Sequence, residues 1–63
     1  MNVKDVLEEN LGKYVTLTKA DGGRETGLVE QVDDSYVLIV VNGIIENIHI
    51  EEIQSVTPRP EKY

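Results

Sequence analysis

The chain contains no cysteine, no tryptophan and no phenylalanine, and only one histidine and two prolines in 63 residues. Without cysteine there is neither a disulfide framework nor a thiolate metal site. Three tyrosines are the whole aromatic complement, so platforms on which bases could stack are scarce. Basic residues are few as well: six Lys and Arg face twelve Asp and Glu, for a net charge of -6. The broad electropositive footprint of a nucleic-acid binder is missing from that total. The longest apolar run, Val37-Leu38-Ile39-Val40-Val41, falls far short of the roughly 20 residues that span a bilayer. Met1-Asn2-Val3-Lys4-Asp5 lacks a basic segment followed by an apolar one, so no secretory signal is read there. A cytoplasmic protein with no membrane partner is expected.

What the chain does have is branched aliphatic residues: twenty Val, Ile and Leu. That content is too high for a disordered chain of modest charge. A chain of this length makes one domain, and such a domain buries only about 60% of the surface its unfolded form exposes. With no disulfide and no evident metal site, self-association is the remaining common source of extra stability. A homo-oligomer is therefore expected from size alone.

The apolar spacing divides the chain. Val3, Val6, Leu7 and Leu11 share one helical face. Asn2 is a good N-cap, Asp5 adds negative charge to the first turn, and Gly12 signals the end, which predicts a helix over about 2–11. From residue 13 the period becomes two. Lys13 to Lys19 points Val15 and Leu17 inward and Tyr14, Thr16 and Thr18 outward. Ala20-Asp21-Gly22-Gly23-Arg24 reads as a hairpin turn, and Glu25 to Val32 as a second strand. Gly27 interrupts that strand, where a missing side chain marks a bend or a close backbone approach. Asp33-Asp34-Ser35 is a second turn. Tyr36 to Val41, apolar throughout, predicts a central strand buried on both faces. Asn42-Gly43 is the strongest short hairpin signal, and Ile44 to Ile48 pairs back across it. His49 to Glu52 is a tight turn, and Ile53 to Thr57 a last strand. Residues 1–57 form the expected domain, and Pro58 to Tyr63, with two prolines, reads as a flexible tail. The expected fold is mainly β: an N-terminal helix, then five short, strongly bent antiparallel strands in a small, partly open barrel. Such a barrel leaves two strand edges, near which Glu46, Asn47, Glu51 and Glu52 fall.

This pattern resembles the Sm-like family, which includes the eukaryotic and archaeal Sm proteins and bacterial Hfq. Gly12-Lys13-Tyr14-Val15-Thr16-Leu17 is similar to that family's first-strand opening. Gly27-Leu28-Val29-Glu30-Gln31-Val32-Asp33 resembles its second strand, where an aspartate stands six residues after a mid-strand glycine. Ile53-Gln54-Ser55-Val56-Thr57-Pro58 is similar to the closing strand of Hfq. The resemblance covers about Val3 to Pro58 and implies an Sm-like barrel that assembles through its strand edges. It favours that topology over an SH3-like or PRC-type barrel, which also uses short curved strands. The family's RNA contacts do not transfer. The uracil-contacting asparagine of Sm proteins, four positions after the aspartate, corresponds to Val37. The arginine-glycine of the second Sm motif corresponds to His49 and Ile50. Where Hfq has tyrosine-lysine-histidine this chain reads His49-Ile50-Glu51, and Glu51 and Glu52 would repel phosphate.

Chemistry-bearing residues are correspondingly sparse. His49 is the only histidine, the residue type whose charge changes near neutral pH, and without a second imidazole it reads as an edge-strand side chain. Ser35 and Ser55 have no His-Asp partners for nucleophilic catalysis. Asp33-Asp34 is explained by its turn, as is Gly22-Gly23-Arg24 by its hairpin, with no strand-loop-helix context for a phosphate cradle. No enzyme, cofactor or metal is expected. The candidate contacts for a protein partner or for RNA are Lys13, Tyr14, Lys19, Arg24, Tyr36 and His49. RNA is disfavoured by charge, since residues 13–57 carry three basic and eight acidic side chains. Lys4, Lys13, Lys19 and Arg24 gathered on one face would restore a basic patch. The function expected is that of a non-enzymatic, self-assembling interaction module, with a divergent RNA-binding Sm-like protein as the alternative.

Overall fold

A computed structural model describes residues 2–59. Helix α1 (Val3–Glu9) is followed by β1 (Tyr14–Lys19), β2 (Arg24–Val32), β3 (Tyr36–Val41), β4 (Ile44–His49), the 3-10 turn η1 (Ile50–Glu52) and β5 (Ile53–Pro58). The Asn2 side chain caps α1, accepting from the Asp5 amide at 2.9 Å. The helix ends at Glu9, earlier than its apolar spacing predicts. Asn10 leaves the helical region (φ -111°), its side chain donates back to the Val6 carbonyl at 2.8 Å, and Lys13 N donates to the Asn10 carbonyl at 2.9 Å. Leu11 therefore lies outside the helix and is 54% exposed rather than part of the buried face, and Leu7 alone of that face is fully buried.

All five strands form one antiparallel sheet in the order β4-β3-β2-β1-β5. Laid flat, its two edges would stand about 19 Å apart at the usual strand spacing. Yet η1 joins β4 to β5 with three residues, which advance only about 6 Å. The sheet must curl until its edges approach, and the core records that curl. Val15 and Leu17 of β1, Val29 of β2, Val37 and Ile39 of β3, Ile48 of β4 and Ile53 of β5 share one buried cluster with Leu7. Gly27 lies inside β2, opposite Val15, with its backbone pressed against β3. A Cβ built there would lie 2.5 Å from the Val40 carbonyl oxygen, 2.8 Å from Ile39 Cγ1 and 2.9 Å from Val41 Cγ2. The bend expected at this glycine is thus a place where two strands approach too closely for any side chain.

Two bulges complete the curl. In β2 the pairing skips Glu30: Val29 faces Ile39, but Gln31 faces Leu38 and Val32 faces Val37. In β5 it skips Gln54, with Ile53 opposite Lys19 and Ser55 opposite Thr18. Each bulge resolves an apolar-polar-polar-apolar stretch, because the extra residue returns the second apolar side chain to the inward phase. Asn42 (φ 53°) and Gly43 (φ 80°) make the β3–β4 turn with both residues at positive φ. Two features differ from expectation. Pro58 closes β5 instead of opening a tail, and Arg59 N donates to the Tyr14 carbonyl at 3.1 Å; residues 60–63 of that tail lie outside the described residues. β3 is not buried on both faces: Val37 and Ile39 are enclosed, while Tyr36, Leu38 and Val40 on its outer face are half-buried.

Candidate functional site

The sheet order leaves β4 and β5 each with one unpaired side. Edge strands usually carry charge or a blocking feature that prevents pairing with another chain. β4 carries Glu46, Asn47 and His49, but it opens on two exposed apolar side chains: Ile44 and Ile45 are 65% and 61% exposed. They stand on opposite faces of the strand, Ile44 opposite Val41 and Ile45 opposite Val40. β5 shows Gln54, Ser55 and Thr57 to solvent, and Pro58, which has no N–H to donate, ends it.

The outer face carries an apolar row across four strands: Tyr14 faces Leu28, Leu28 faces Val40, and Val40 faces Ile45. Tyr14, 57% exposed, begins the row and Ile45 ends it at the β4 edge. Next to it the outer face becomes hydroxylic, with Thr16 and Thr26 hydrogen-bonded at 2.9 Å and Thr57 opposite Thr16.

The six candidate contact residues do not converge. Tyr14 lies in the apolar row. Lys13 precedes β1, whereas Lys19 and Arg24 flank the turn at its far end, about 20 Å along the strand. Arg24 faces Thr18 on the outer side. Tyr36 and His49 face each other across β3 and β4 at the opposite end of the sheet, and His49 is exposed. Hydrogen bonding to Asp33, and then that carboxylate's negative charge, raise the Tyr36 phenol above its ordinary range. The single basic face envisaged for Lys4, Lys13, Lys19 and Arg24 is not formed. Lys4 turns to Asp34 at 2.9 Å and to Glu8 at 3.7 Å. Its hydrogen bond to Asp34 raises Lys4 and lowers Asp34. Lys19 turns inward to Glu25 at 2.8 Å.

That second pair belongs to a group the sequence reading missed. Glu25 faces Leu17 and Glu46 faces Ile39, so both carboxylates sit on the core side of the sheet. The Glu25 side chain is 19% exposed and that of Lys19 28%. Lys19 Nζ lies 2.8 Å from a Glu25 carboxylate oxygen. The lysine bond and then the Glu46 bond hold Glu25 below its usual range. Glu46 is raised, first by its hydrogen bond to Glu25 and then by burial. The available signal was phase: Glu25 shares the parity of Gly27 and Val29, and Glu46 that of Ile44 and Ile48. Among the described residues no three His, Asp or Glu side chains are grouped to hold a metal ion, and no helix is long and apolar enough to cross a membrane.

No family model matches the sequence, and no curated protein matches it. The structure does find a counterpart. It superposes on the crystal structure of the pleiotropic translational regulator Hfq with a TM-score of 0.78, over 84% of this chain and 92% of that one, at 24% sequence identity. The fold is Sm-like: an N-terminal helix followed by five bent antiparallel strands. At that identity the likeness establishes the architecture and leaves the site residues to be argued from this chain.

Proposed function

We propose that this chain is a non-catalytic Sm-like module that assembles with its own copies through the β4 and β5 edges. The carrying observation is the pair of isoleucines at the β4 edge, Ile44 and Ile45, both more than half exposed on a strand with an unpaired side. Pairing β4 of one copy with β5 of the next satisfies both rows of backbone groups and covers both isoleucines. Because the two edges differ, such contacts run head to tail and close into a ring when the rotation permits. The small core supports the same reading, since eight apolar side chains are buried among the described residues and association is the remaining common source of stability. Native mass spectrometry and sedimentation at micromolar concentration test it. A defined homo-oligomer is expected, and Ile45→Lys shifts it to monomer without unfolding it. A wild-type chain that stays monomeric overturns the proposal.

The assembled surface is read as a platform for a protein partner. RNA is the second reading, favoured by one observation: the fold is shared with a translational regulator. Against it stand the net charge of -6 and the commitment of Lys4 and Lys19 to carboxylates. Titrations with oligo(U) and oligo(A) at two salt concentrations separate the readings. Phosphate-driven affinity is strongest at low salt, so no binding there removes RNA.

A further inference from the structure

An asparagine side chain is open to attack by the backbone nitrogen of the residue that follows it, and the bulk of that next residue decides whether the two atoms meet. The described residues include Asn2, Asn10, Asn42 and Asn47. Asn2, Asn10 and Asn47 precede Val3, Leu11 and Ile48, whose branched side chains crowd the approach. Two of these three are also held in place. The Asn2 side chain accepts from the Asp5 amide at 2.9 Å, and that of Asn10 donates to the Val6 carbonyl at 2.8 Å. Asn47 lies within β4, paired opposite Leu38.

Asn42 differs on each count. It is exposed, at the tip of a two-residue turn closed by Val41 and Ile44. Its successor is Gly43, and nothing lies within 4 Å of where a Cβ would stand on that glycine. The Gly43 amide donates to no backbone carbonyl among the described residues, so attack by its nitrogen breaks no such bond. Asn42 and Gly43 stand at φ 53° and 80°, and the glycine turns about its own bonds at little steric cost. Exposed loop tips are also where a chain opens most readily.

We infer that Asn42 is a site of spontaneous chemical modification whose main product slackens the β4 edge. The Gly43 nitrogen loses its proton and bonds to the side-chain carbonyl carbon of Asn42, and the side-chain nitrogen leaves with that proton as ammonia. The product is a five-membered succinimide ring. Water then adds across one of its two C–N bonds. Opening at the side-chain carbonyl leaves aspartate. Opening at the main-chain carbonyl leaves isoaspartate, whose main chain runs through the former side chain and is longer by one carbon. A two-residue turn has no place for that carbon, because its length sets the pairing of Val41 with Ile44 and of Val40 with Ile45. Aspartate tolerates the positive φ of this position, so isoaspartate is the product that disturbs the turn. Both add a negative charge next to Ile44 on a chain already at -6. The effect on assembly rests on the β4 edge proposed above; the modification itself does not.

Prolonged incubation of the full chain at neutral pH, followed by peptide mapping that separates aspartate from isoaspartate, tests the site. Both products are expected at Asn42, formed at least about tenfold faster than at any other asparagine, a difference of about 1.4 kcal/mol in barrier. Isoaspartate marks the ring route, because direct hydrolysis of the side chain gives aspartate alone. Gly43→Asn keeps a residue that tolerates positive φ but crowds the attacking nitrogen, and it slows the conversion by a similar factor. Amide hydrogen exchange then reads the edge, with Asn42→Asp as the reference that carries the charge without the extra carbon. Exchange of the β4 amides bonded to β3 is expected to be at least about tenfold faster in the isoaspartate fraction than in Asn42→Asp. No isoaspartate at Asn42, conversion there no faster than at the other asparagines, or β4 exchange equal to that of Asn42→Asp overturns the inference. Sedimentation of the aged chain keeps the two proposals apart. A slackened β4 in an oligomer of unchanged mass, or in a chain monomeric throughout, upholds the modification and refutes assembly through that edge.

Discussion

Gly27→Ala isolates the steric demand on which the curl of the sheet depends. The new methyl carbon would meet three atoms of β3 at 2.5, 2.8 and 2.9 Å, and the nearest is the backbone carbonyl oxygen of Val40. Side chains can rotate away, but a carbonyl paired in the ladder moves only with its strand. Relief requires β2 and β3 to separate by roughly 1 Å beside the Leu28–Val40 pair. Overpacking of this kind costs about 1–3 kcal/mol, with the upper end expected because backbone must shift. Alanine returns about 0.5–1 kcal/mol through its smaller loss of chain entropy in a strand. A net loss of about 2 kcal/mol is expected, against a total stability of roughly 3–9 kcal/mol for a chain of this size. Urea unfolding followed by circular dichroism, at one fixed protein concentration, reads that loss; on heating it lowers the Tm by roughly 8–16 °C. Gly22→Ala supplies the contrast, since no atom lies within 4 Å of its added carbon and only the positive φ of 92° opposes it, at a cost of about 1 kcal/mol. Gly27→Ala within about 0.5 kcal/mol of wild type, the range of ordinary surface changes, would refute the reasoning.

Three further outcomes are expected. Leu17→Ala empties a fully buried position in the middle of β1 and lowers stability by about 2–5 kcal/mol in the same urea assay. Asn2→Ala removes the side chain that caps α1 and costs about 0.5–2 kcal/mol; an unchanged Tm would mean that packing alone holds the helix. Lys4→Met returns Asp34 toward its ordinary range in a carboxyl NMR titration, because the lowered value depends on Lys4. In the wild type this pair stabilises above the ordinary carboxylate range and is lost as pH falls through the lowered Asp34 value, and it is lost again as pH rises through the raised lysine value. About 1 M salt should erase its effect on thermal stability, since both side chains reach solvent.

Much of the architecture was legible because local pattern reports local burial. Val15, Leu17, Val29, Val37, Ile39 and Ile48 all face inward on the phase that alternation assigns them. Asn42-Gly43 turns where its tolerance of positive φ requires. Leu11 misled because its i+8 spacing says nothing of where Asn10 breaks the helix. The apolar run of β3 misled in a different way. Its outer residues Leu38 and Val40 belong to a half-buried row shared with Leu28, Ile45 and Tyr14, and that row exists only once four strands are in register. The bulges at Glu30 and Gln54 were written in the sequence as doubled polar residues between apolar ones, a signal that simple alternation reads as noise.

The candidate site divides along the same line. The sequence by itself determined the run of elements, the inward aliphatics, the excess of acid and the absence of the Sm family's RNA-contacting residues. Only the tertiary structure decided that β4 and β5 are the free edges, that Lys4 meets Asp34 thirty residues away, and that Lys19 pairs with Glu25 across the β1–β2 hairpin. The physical reason is range. A period of two or of 3.6 is fixed by neighbours a few residues apart, whereas which side chains meet across a curled sheet depends on how closely two strands can approach at Gly27 and how two bulges then turn them.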